Sequence, residues 1–274
     1  TISEILKRHG LVRGRRKRHH TPPYSEPFLK SNQPNEVWCA DFKGQFRLGS
    51  GFWCYPLTLS DSYSRYLLGC WGLARPGYFL TKSCFEIAFR QYGLPSAIRT
   101  DNGVPFASVG LGGLSSLAVW FVKLGIRPER IEKGHPEQNG RHERMHRTLK
   151  AEAISPPRKS LSEQQRAFDR FRVAYNNDRP HEALGQKAPA SMYRISAREY
   201  PAKLPEVEYP QAFKVRQVKK NGDFKWQGKE LYLSGALAGE HVGLKEIDNG
   251  IWKIYFNFYP VGILDERTFR IAPC

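Results

Sequence analysis

Three acidic residues stand in three separate local contexts along this chain: Asp41 in VWCADF, Asp101 in IRTDNG and Glu143 in HPEQNGRHERMHRTLK. Carboxylates are hard oxygen donors of the kind Mg²⁺ prefers, and three of them form a donor set for two magnesium ions about 3.5 to 4 Å apart. Such an ion pair activates an attacking oxygen and stabilises a leaving one in phosphodiester chemistry. The composition agrees with a phosphodiester substrate. Lys and Arg number 43 against 26 Asp and Glu, a formal net charge of +17 on 274 residues, which is the balance of a protein that meets a polyanion.

A chain of this length holds about two domains. With 40% hydrophobic and 13% aromatic residues it has ample material for packed cores, which excludes a disordered tail or linker. The five cysteines, Cys39, Cys54, Cys70, Cys84 and Cys274, form no closely spaced zinc pair and read as small buried hydrophobes. No cleavable signal and no apolar run of about 18 residues is present, so the expectation is a cytoplasmic protein with no membrane partner.

The elements that must position the carboxylates are legible in outline. The chain opens on TISEILKRHGLV, the tail of an amphipathic helix, without a methionine. The expectation is that more DNA-binding helices precede it. The basic run RGRRKRHH follows, then the proline-bearing linker TPPYSEPFLKSNQPNE. From Glu36, VWCADFKGQF, FWCYPLTLSD and YLLGCWGLA read as three strands of a meander. YFLTKSCFEIAFRQYG reads as a helix stopped at Gly93, AIRT as a short strand running into Asp101, LSSLAVWFVKLG as a weaker helix, and the stretch near IRPERI as a fifth strand. Helices are expected from about Asn139 to Ala153 and from Ser162 to Tyr175. The result is a mixed α/β pattern around one central sheet. Beyond Phe213, FKVRQV, FKWQGKELYL, HVGLKEI, IWKIYF and VGILDE read as five short strands of a small β-barrel.

With Asp41 in the first strand, TDNG at 100–103, PEQNGRHE at 136–143 and YNNDRPHEAL at 175–184, the chain resembles the DDE transposases of the retroviral integrase superfamily, the insertion-sequence enzymes with an integrase catalytic core. Each short motif alone is weak, and four in the family's order are specific. One departure is the 41 residues between Asp101 and Glu143, longer than the family's familiar spacing, which the glycine-rich VGLGGLSS at 109–116 accounts for because loop extension costs little. The resemblance implies an RNase H-like mixed five-stranded sheet with flanking helices, followed by a small SH3-like β-barrel. It divides the chain into an N-terminal DNA-binding and linker region at 1–35, a catalytic core at 36–200 and a DNA-binding barrel at 201–274. In such a sheet the first strand lies beside the fourth, so Asp41 and Asp101 would project together.

The resemblance makes Asp41, Asp101 and Glu143 both the catalytic residues and the ligands of two Mg²⁺ or Mn²⁺ ions. Each has a plainer reading: Asp101 as a turn aspartate, Glu143 as an i,i+4 partner of Arg147. Glu137, in the turn before the helix, is the alternative third ligand. For DNA binding the candidates are Arg13, Arg15, Arg16, Lys17 and Arg18 of the basic run, His135 and Asn139 before the helix, and Lys214 and Arg216 in the barrel. His146, Arg147 and Lys150 join them, three, four and seven positions after Glu143 on one helix face. His135, His142 and His146 also invite a zinc reading, disfavoured for want of nearby paired cysteines. Asp61, in SDSYSR, reads as a turn residue.

The expected activity is metal-dependent DNA end cleavage and strand transfer by a polynucleotidyl transferase acting on double-stranded element ends and target, as a homo-oligomer on the DNA. The alternatives are an inactive or domesticated DNA-binding relative, and an RNase H-like nuclease without strand transfer.

Overall fold

The continuous apolar run VWCA and the buried stretch PLTL give strands with two buried faces, and the sheet they build is covered by helices on both sides. The computed structural model describes residue 8, residues 28–131 and residues 140–274. Arg13, Arg15, Arg16, Lys17, Arg18, His135, Glu137 and Asn139 therefore lie outside the described residues.

The core sheet comprises β1 (Val37–Phe42), β2 (Phe46–Arg47), β3 (Trp53–Asp61), β4 (Leu67–Leu73), β5 (Ala97–Thr100) and β6 (Arg127–Arg130). β3 pairs antiparallel with β1 and β4, while β1 and β5, and β5 and β6, are parallel. This is the five-stranded mixed sheet expected, with one difference. The first expected strand, VWCADFKGQF, breaks after Phe42, and its end returns as the two-residue β2 against Trp53 and Cys54. Gly44, with φ 88°, stands in the break, a backbone conformation that favours glycine.

Period-two alternation sorts the side chains. Trp38, Ala40, Leu57, Leu59 and Ile98 face α1 (Tyr78–Tyr92) and α2 (Ser116–Lys123), and form a core with Phe85, Phe89, Trp120 and Phe121. Cys54, Leu67 and Cys70 face the opposite way, onto Met145 and Leu149 of α3 (Gly140–Leu149) and Phe168 and Phe171 of α4 (Leu161–Asn177). α3 ends in a π-helical turn at Lys150–Ile154. α4 also seals the outer edge of β4. The Asn176 side chain donates to Leu67 O at 3.0 Å and accepts from Leu67 N at 2.8 Å, and Gln165 does the same for Cys70 O and Gly72 N. An exposed edge strand is open to pairing with another chain, and these two amides occupy its backbone groups.

The C-terminal part has seven strands where the alternation suggested five. FKWQGKELYL folds as a hairpin of β8 (Asp223–Trp226) and β9 (Lys229–Tyr232), because Gln227 and Gly228 both take positive φ and turn the chain. The tail adds β13 (Arg270–Ala272) to a five-stranded antiparallel sheet ordered β13, β12 (Tyr259–Asp265), β11 (Ile251–Phe256), β10 (His241–Asp248), β7 (Lys214–Gln217). Sheet and hairpin share one core around Trp226, Phe224, Leu244, Ile254 and Phe256. Together they make a small barrel-like unit.

That unit is joined to the first core through α2. While Leu117, Trp120 and Phe121 belong to the sheet side, Ala118, Val119 and Val122 pack among the C-terminal strands. The glycine-rich stretch expected to be a slack insertion makes a 3₁₀ turn, Leu111–Gly113. Gly112 O accepts from Arg130 Nη2 at 3.1 Å and from the Tyr259 hydroxyl at 3.3 Å. A Cβ on Gly113 would lie 1.7 Å from the Arg130 guanidinium, so only glycine lets that arginine reach the turn.

Four cysteines are buried, and burial pushes the Cys54 and Cys84 thiols up to about 12, leaving them inert as packing residues. Asp61 is likewise structural, accepting from Ser64 N at 2.7 Å, Ser64 Oγ at 2.6 Å and Asn35 N at 2.8 Å. The linker's described end is anchored: Glu129, fully buried, accepts from Arg99 Nη2 at 2.7 Å and from Leu29 N at 2.6 Å. Removing one partner of a buried ion pair leaves an uncompensated charge. Arg99→Met is therefore expected to lower unfolding free energy by about 3 to 5 kcal/mol in urea titrations, and a loss under about 1 kcal/mol would show that Glu129 does not depend on Arg99.

Candidate active site

Ala40 is paired with Thr100 across β1 and β5, so Asp41 and Asp101 are the next residues on two neighbouring parallel strands. Both continue the alternation of Val37, Cys39 and Ala97, which face away from the α1/α2 core. The carboxyl ends of parallel strands are where α/β sheets hold ligands, because the chain leaves the sheet there and opens a crevice.

The surroundings hold these carboxylates in a costly state. Burial, the charge of Asp101 and, more weakly, that of Glu143 raise the Asp41 pKa from 3.8 to about 7, against the lowering pull of Phe42 N–H and Lys43. Burial also raises Asp101, countered by the Gly103 N–H. Asp101 Oδ1 is buried and has no hydrogen-bond partner. Gly103 must be small here, since a Cβ would come within 2.8 Å of Asp101 Oδ2. Asn102 Nδ2 donates to Ile131 O at 2.7 Å and ties the end of β5 to the end of β6. The TDNG run is thus a carboxylate, a strap and a clearance in succession.

Thr58, opposite Asp41 on β3, gathers the other groups. Its Oγ1 lies 3.1 Å from Asp41 O and 2.7 Å from both His142 Nε2 and His146 Nε2 of α3. A hydroxyl has one proton to give and two lone pairs. Asp41 O can only accept, so it takes the Thr58 proton, and both imidazoles carry their hydrogen on Nε2 and donate to Thr58. Their Nδ1 atoms then accept: that of His142 from Ser60 Oγ at 3.3 Å, while that of His146 faces Asp41 Oδ2 at 3.8 Å. Burial holds both rings neutral, taking His142 down to about 4 and His146 to about 2. Two lone-pair atoms face each other across the His146–Asp41 gap, and a proton or cation on Asp41 relieves them.

This corrects the expected helix face. His146 is buried and turned to the sheet, away from Arg147 and Lys150, which are exposed beside exposed Glu143. A helix resting on a sheet must bury about a third of its circumference, and positions 142, 145, 146 and 149 are that stripe. The Thr58 contribution went unseen in the sequence, where a threonine inside PLTLSD looks like any strand residue. Glu143 reaches Asp41 electrostatically, yet among the described residues no three His, Cys, Asp or Glu side chains stand close enough together to hold a metal ion. Lys214 and Arg216 lie over aromatic rings of the C-terminal unit, Lys214 Nζ 4.2 Å from the Trp252 centroid and the Arg216 guanidinium 5.2 Å from that of Trp226.

The chain matches known proteins in both parts. Residues 31–136 and 124–189 match the integrase core domain, and residues 213–272 match the C-terminal domain of IS481 family transposases. A 31.7 kDa protein of insertion element IS407 from Burkholderia multivorans (strain ATCC 17616 / 249) is 29% identical over 214 residues, 75% of this chain and 73% of that protein. A 39.2 kDa protein of insertion element IS476 from Xanthomonas euvesicatoria is 29% identical over 184 residues, 65% of this chain and 50% of that protein. Among solved structures, a chain of the simian T-cell lymphotropic virus intasome in complex with PP2A regulatory subunit B56 gamma aligns at a TM-score of 0.51 and 18% identity, covering 100% of this chain and 92% of that one. That likeness is one of fold.

Two outcomes follow from the site. Thr58→Val keeps the shape but leaves two buried imidazoles without their acceptor, and stability should fall by about 2 to 4 kcal/mol; an unchanged urea midpoint would dismiss the network. Because the Asp41 pKa is raised, its favourable contribution to folding is complete below about pH 4 and is lost as pH rises through about 7. Melting temperature should therefore fall across that window, Mg²⁺ should restore it increasingly above pH 7, and Asp41→Asn should flatten the pH dependence and remove the Mg²⁺ response. A Mg²⁺ response undiminished in Asp41→Asn would exclude this carboxylate as a ligand.

Proposed function

Since this chain belongs to the integrase core family, we propose that it is a DNA transposase that cuts element ends and joins them to target DNA. The observation that carries this reading is the placement of Asp41 and Asp101 at the ends of adjacent parallel strands, with Asp101 Oδ1 buried and unpartnered and the Glu143 charge acting on Asp41. A buried carboxylate oxygen without a donor is a ligand of the kind a hard cation takes, so Asp41 and Asp101 fit as oxygen donors to magnesium.

In this reading Asp41 and Asp101 would hold two Mg²⁺ or Mn²⁺ ions and Glu143 would complete the set from α3. When bound, the ions activate the attacking oxygen and neutralise charge on the phosphorus centre. Water opens a phosphodiester at the element end and leaves a 3′ hydroxyl. That hydroxyl attacks a target phosphodiester, a new P–O bond forms, and the target strand's own 3′ oxygen departs with the proton. The chain's part is positional. Thr58, His142 and His146 fix α3 against β1, so the Glu143 backbone is set relative to Asp41. Exposed Arg147 and Lys150 border Glu143 and carry the charge to hold the DNA backbone.

The same reading assigns residues 1–35, with Arg13, Arg15, Arg16, Lys17 and Arg18, to DNA binding together with His135 and Asn139, residues 36–200 to catalysis, and residues 201–274, with Lys214 and Arg216, to sequence-tolerant DNA binding. Work on two DNA ends calls for more than one copy on the DNA. No helix among the described residues is long and apolar enough to cross a membrane, and action on DNA places the protein in the bacterial cytoplasm.

The test is a strand-transfer assay with labelled duplexes taken from the DNA flanking its own gene, a plasmid target, and Mg²⁺ or Mn²⁺ against a chelator. Metal-dependent products longer than the substrate are expected, reduced to background in Asp101→Asn and Glu143→Gln with DNA binding retained. Shorter products alone would replace the reading with a nuclease, and Asp101→Asn retaining strand transfer would sink the site.

A further inference from the structure

A cleft of about 480 Å³ opens on the other flank of α3, where the β3–β4 turn, α3 and the turn after α4 meet. Its charge is one-sided. Arg65 comes from the hairpin, Arg144 from α3 and Arg179 from the turn after α4, against Glu182 among the lining residues. Arg179 also pairs with Glu152, and Arg65 donates to Ser62 O, so both guanidiniums are held in place. Arg144 is exposed and makes no ion pair among the described residues.

The floor holds Tyr175 and His181, rings edge to face with centroids 4.9 Å apart. His181 begins a tight turn, its N–H donating to Lys187 O and its carbonyl accepting from Leu184 N and Gln186 N. Its Nε2 is buried and has no partner. The Arg65 and Arg179 charges both act on Tyr175 and on His181, which places them on the same spot. A buried ring nitrogen left unpaired beneath three guanidiniums is costly in the empty fold. An acceptor-rich anion satisfies all of it, and guanidinium pairs best with phosphate or carboxylate oxygens.

α3 indicates which anion. At 100° per residue, Arg144 and Thr148 lie on the flank opposite Glu143 and Lys150, with exposed Arg147 between the two sides. A strand whose reacting phosphodiester sits at Glu143 crosses Arg147 and arrives at this cleft. We propose that the Arg65–Arg144–Arg179–His181 cleft seats a backbone phosphate of DNA lying across α3, away from the carboxylates. This rests on the DNA-joining reading and adds to it a grip on the strand beyond the reacting bond. The volume takes a phosphodiester with its sugar.

Equilibrium binding of the full chain to a fluorescent duplex, measured across salt, tests it. Each of Arg144→Gln and Arg179→Gln should lower the slope of log K against log salt by about 1, the loss of one phosphate contact. Arg170→Gln, an exposed arginine of α4 outside the cleft, should leave the slope unchanged. Replacing phosphates one at a time by neutral methylphosphonates should expose one position that weakens wild-type binding and has no further effect in Arg144→Gln. Arg144 is on an exposed helix face, so that variant carries the test even where Arg179→Gln is less stable. Slopes for the cleft variants equal to that of Arg170→Gln, or the same methylphosphonate penalty with and without Arg144, would overturn the cleft alone. Absence of salt-sensitive DNA binding in the wild type would overturn the broader reading with it.

Discussion

Two carboxylates side by side at the ends of neighbouring parallel strands repel each other, and burying them strengthens the repulsion because less water screens it. Asp41 shows the cost most plainly: burial first, and then the charge of Asp101, hold its proton to about pH 7. A pair in this state stays together only if the strands beneath cannot separate. β1 is therefore the middle strand, bonded to β3 on one side and β5 on the other, with Trp38 fully buried under it. The polar groups around the pair have one arrangement that satisfies them, with Thr58 donating to the Asp41 carbonyl and two neutral imidazoles donating to Thr58. Residual tension remains at the Asp101 oxygen, which has no donor, and in the His146–Asp41 gap.

The second constraint is α2. A helix with apolar residues on nearly its whole circumference cannot sit on a surface, and this one lies between the core sheet and the C-terminal strands. The glycine turn before it and Arg130 behind it lock the same junction. Lys123 pairs with Glu240 at 2.8 Å across it. The C-terminal unit is thus held against the core sheet at a set place, which gives its basic strand β7 a defined position relative to the carboxylates.

Much of this was legible in the chain. The five core strands and the helices flanking them could be read from alternation and helical spacing, because those patterns record which face each residue buries, while the pairing of the first strand with the fourth was implied by the family resemblance alone. Asp61 and four of the five cysteines were also readable, since turn chemistry and the lack of paired cysteines are local signals; Cys274, expected to be buried, is exposed because it ends the chain beyond β13. The break after Phe42, the β8–β9 hairpin and the closing strand β13 were not. A two-residue turn such as Gln227–Gly228 inside an alternating run hides in the alternation, and Arg270–Ala272 is a strand only because β12 offers it an edge.

The sequence by itself determined the donor types, the net charge and the order of elements, which depend on composition and short-range spacing. Only the tertiary structure decided that His146 turns inward while Arg147 and Lys150 stay out, that Thr58 is the hub of the site, that a glycine-rich stretch is a docking turn, and that Arg65, Arg144 and Arg179 share one cleft. Those facts join residues as far as 147 positions apart. Which groups meet over such separations is set by packing and by the need to satisfy every buried polar atom, and no local pattern encodes either.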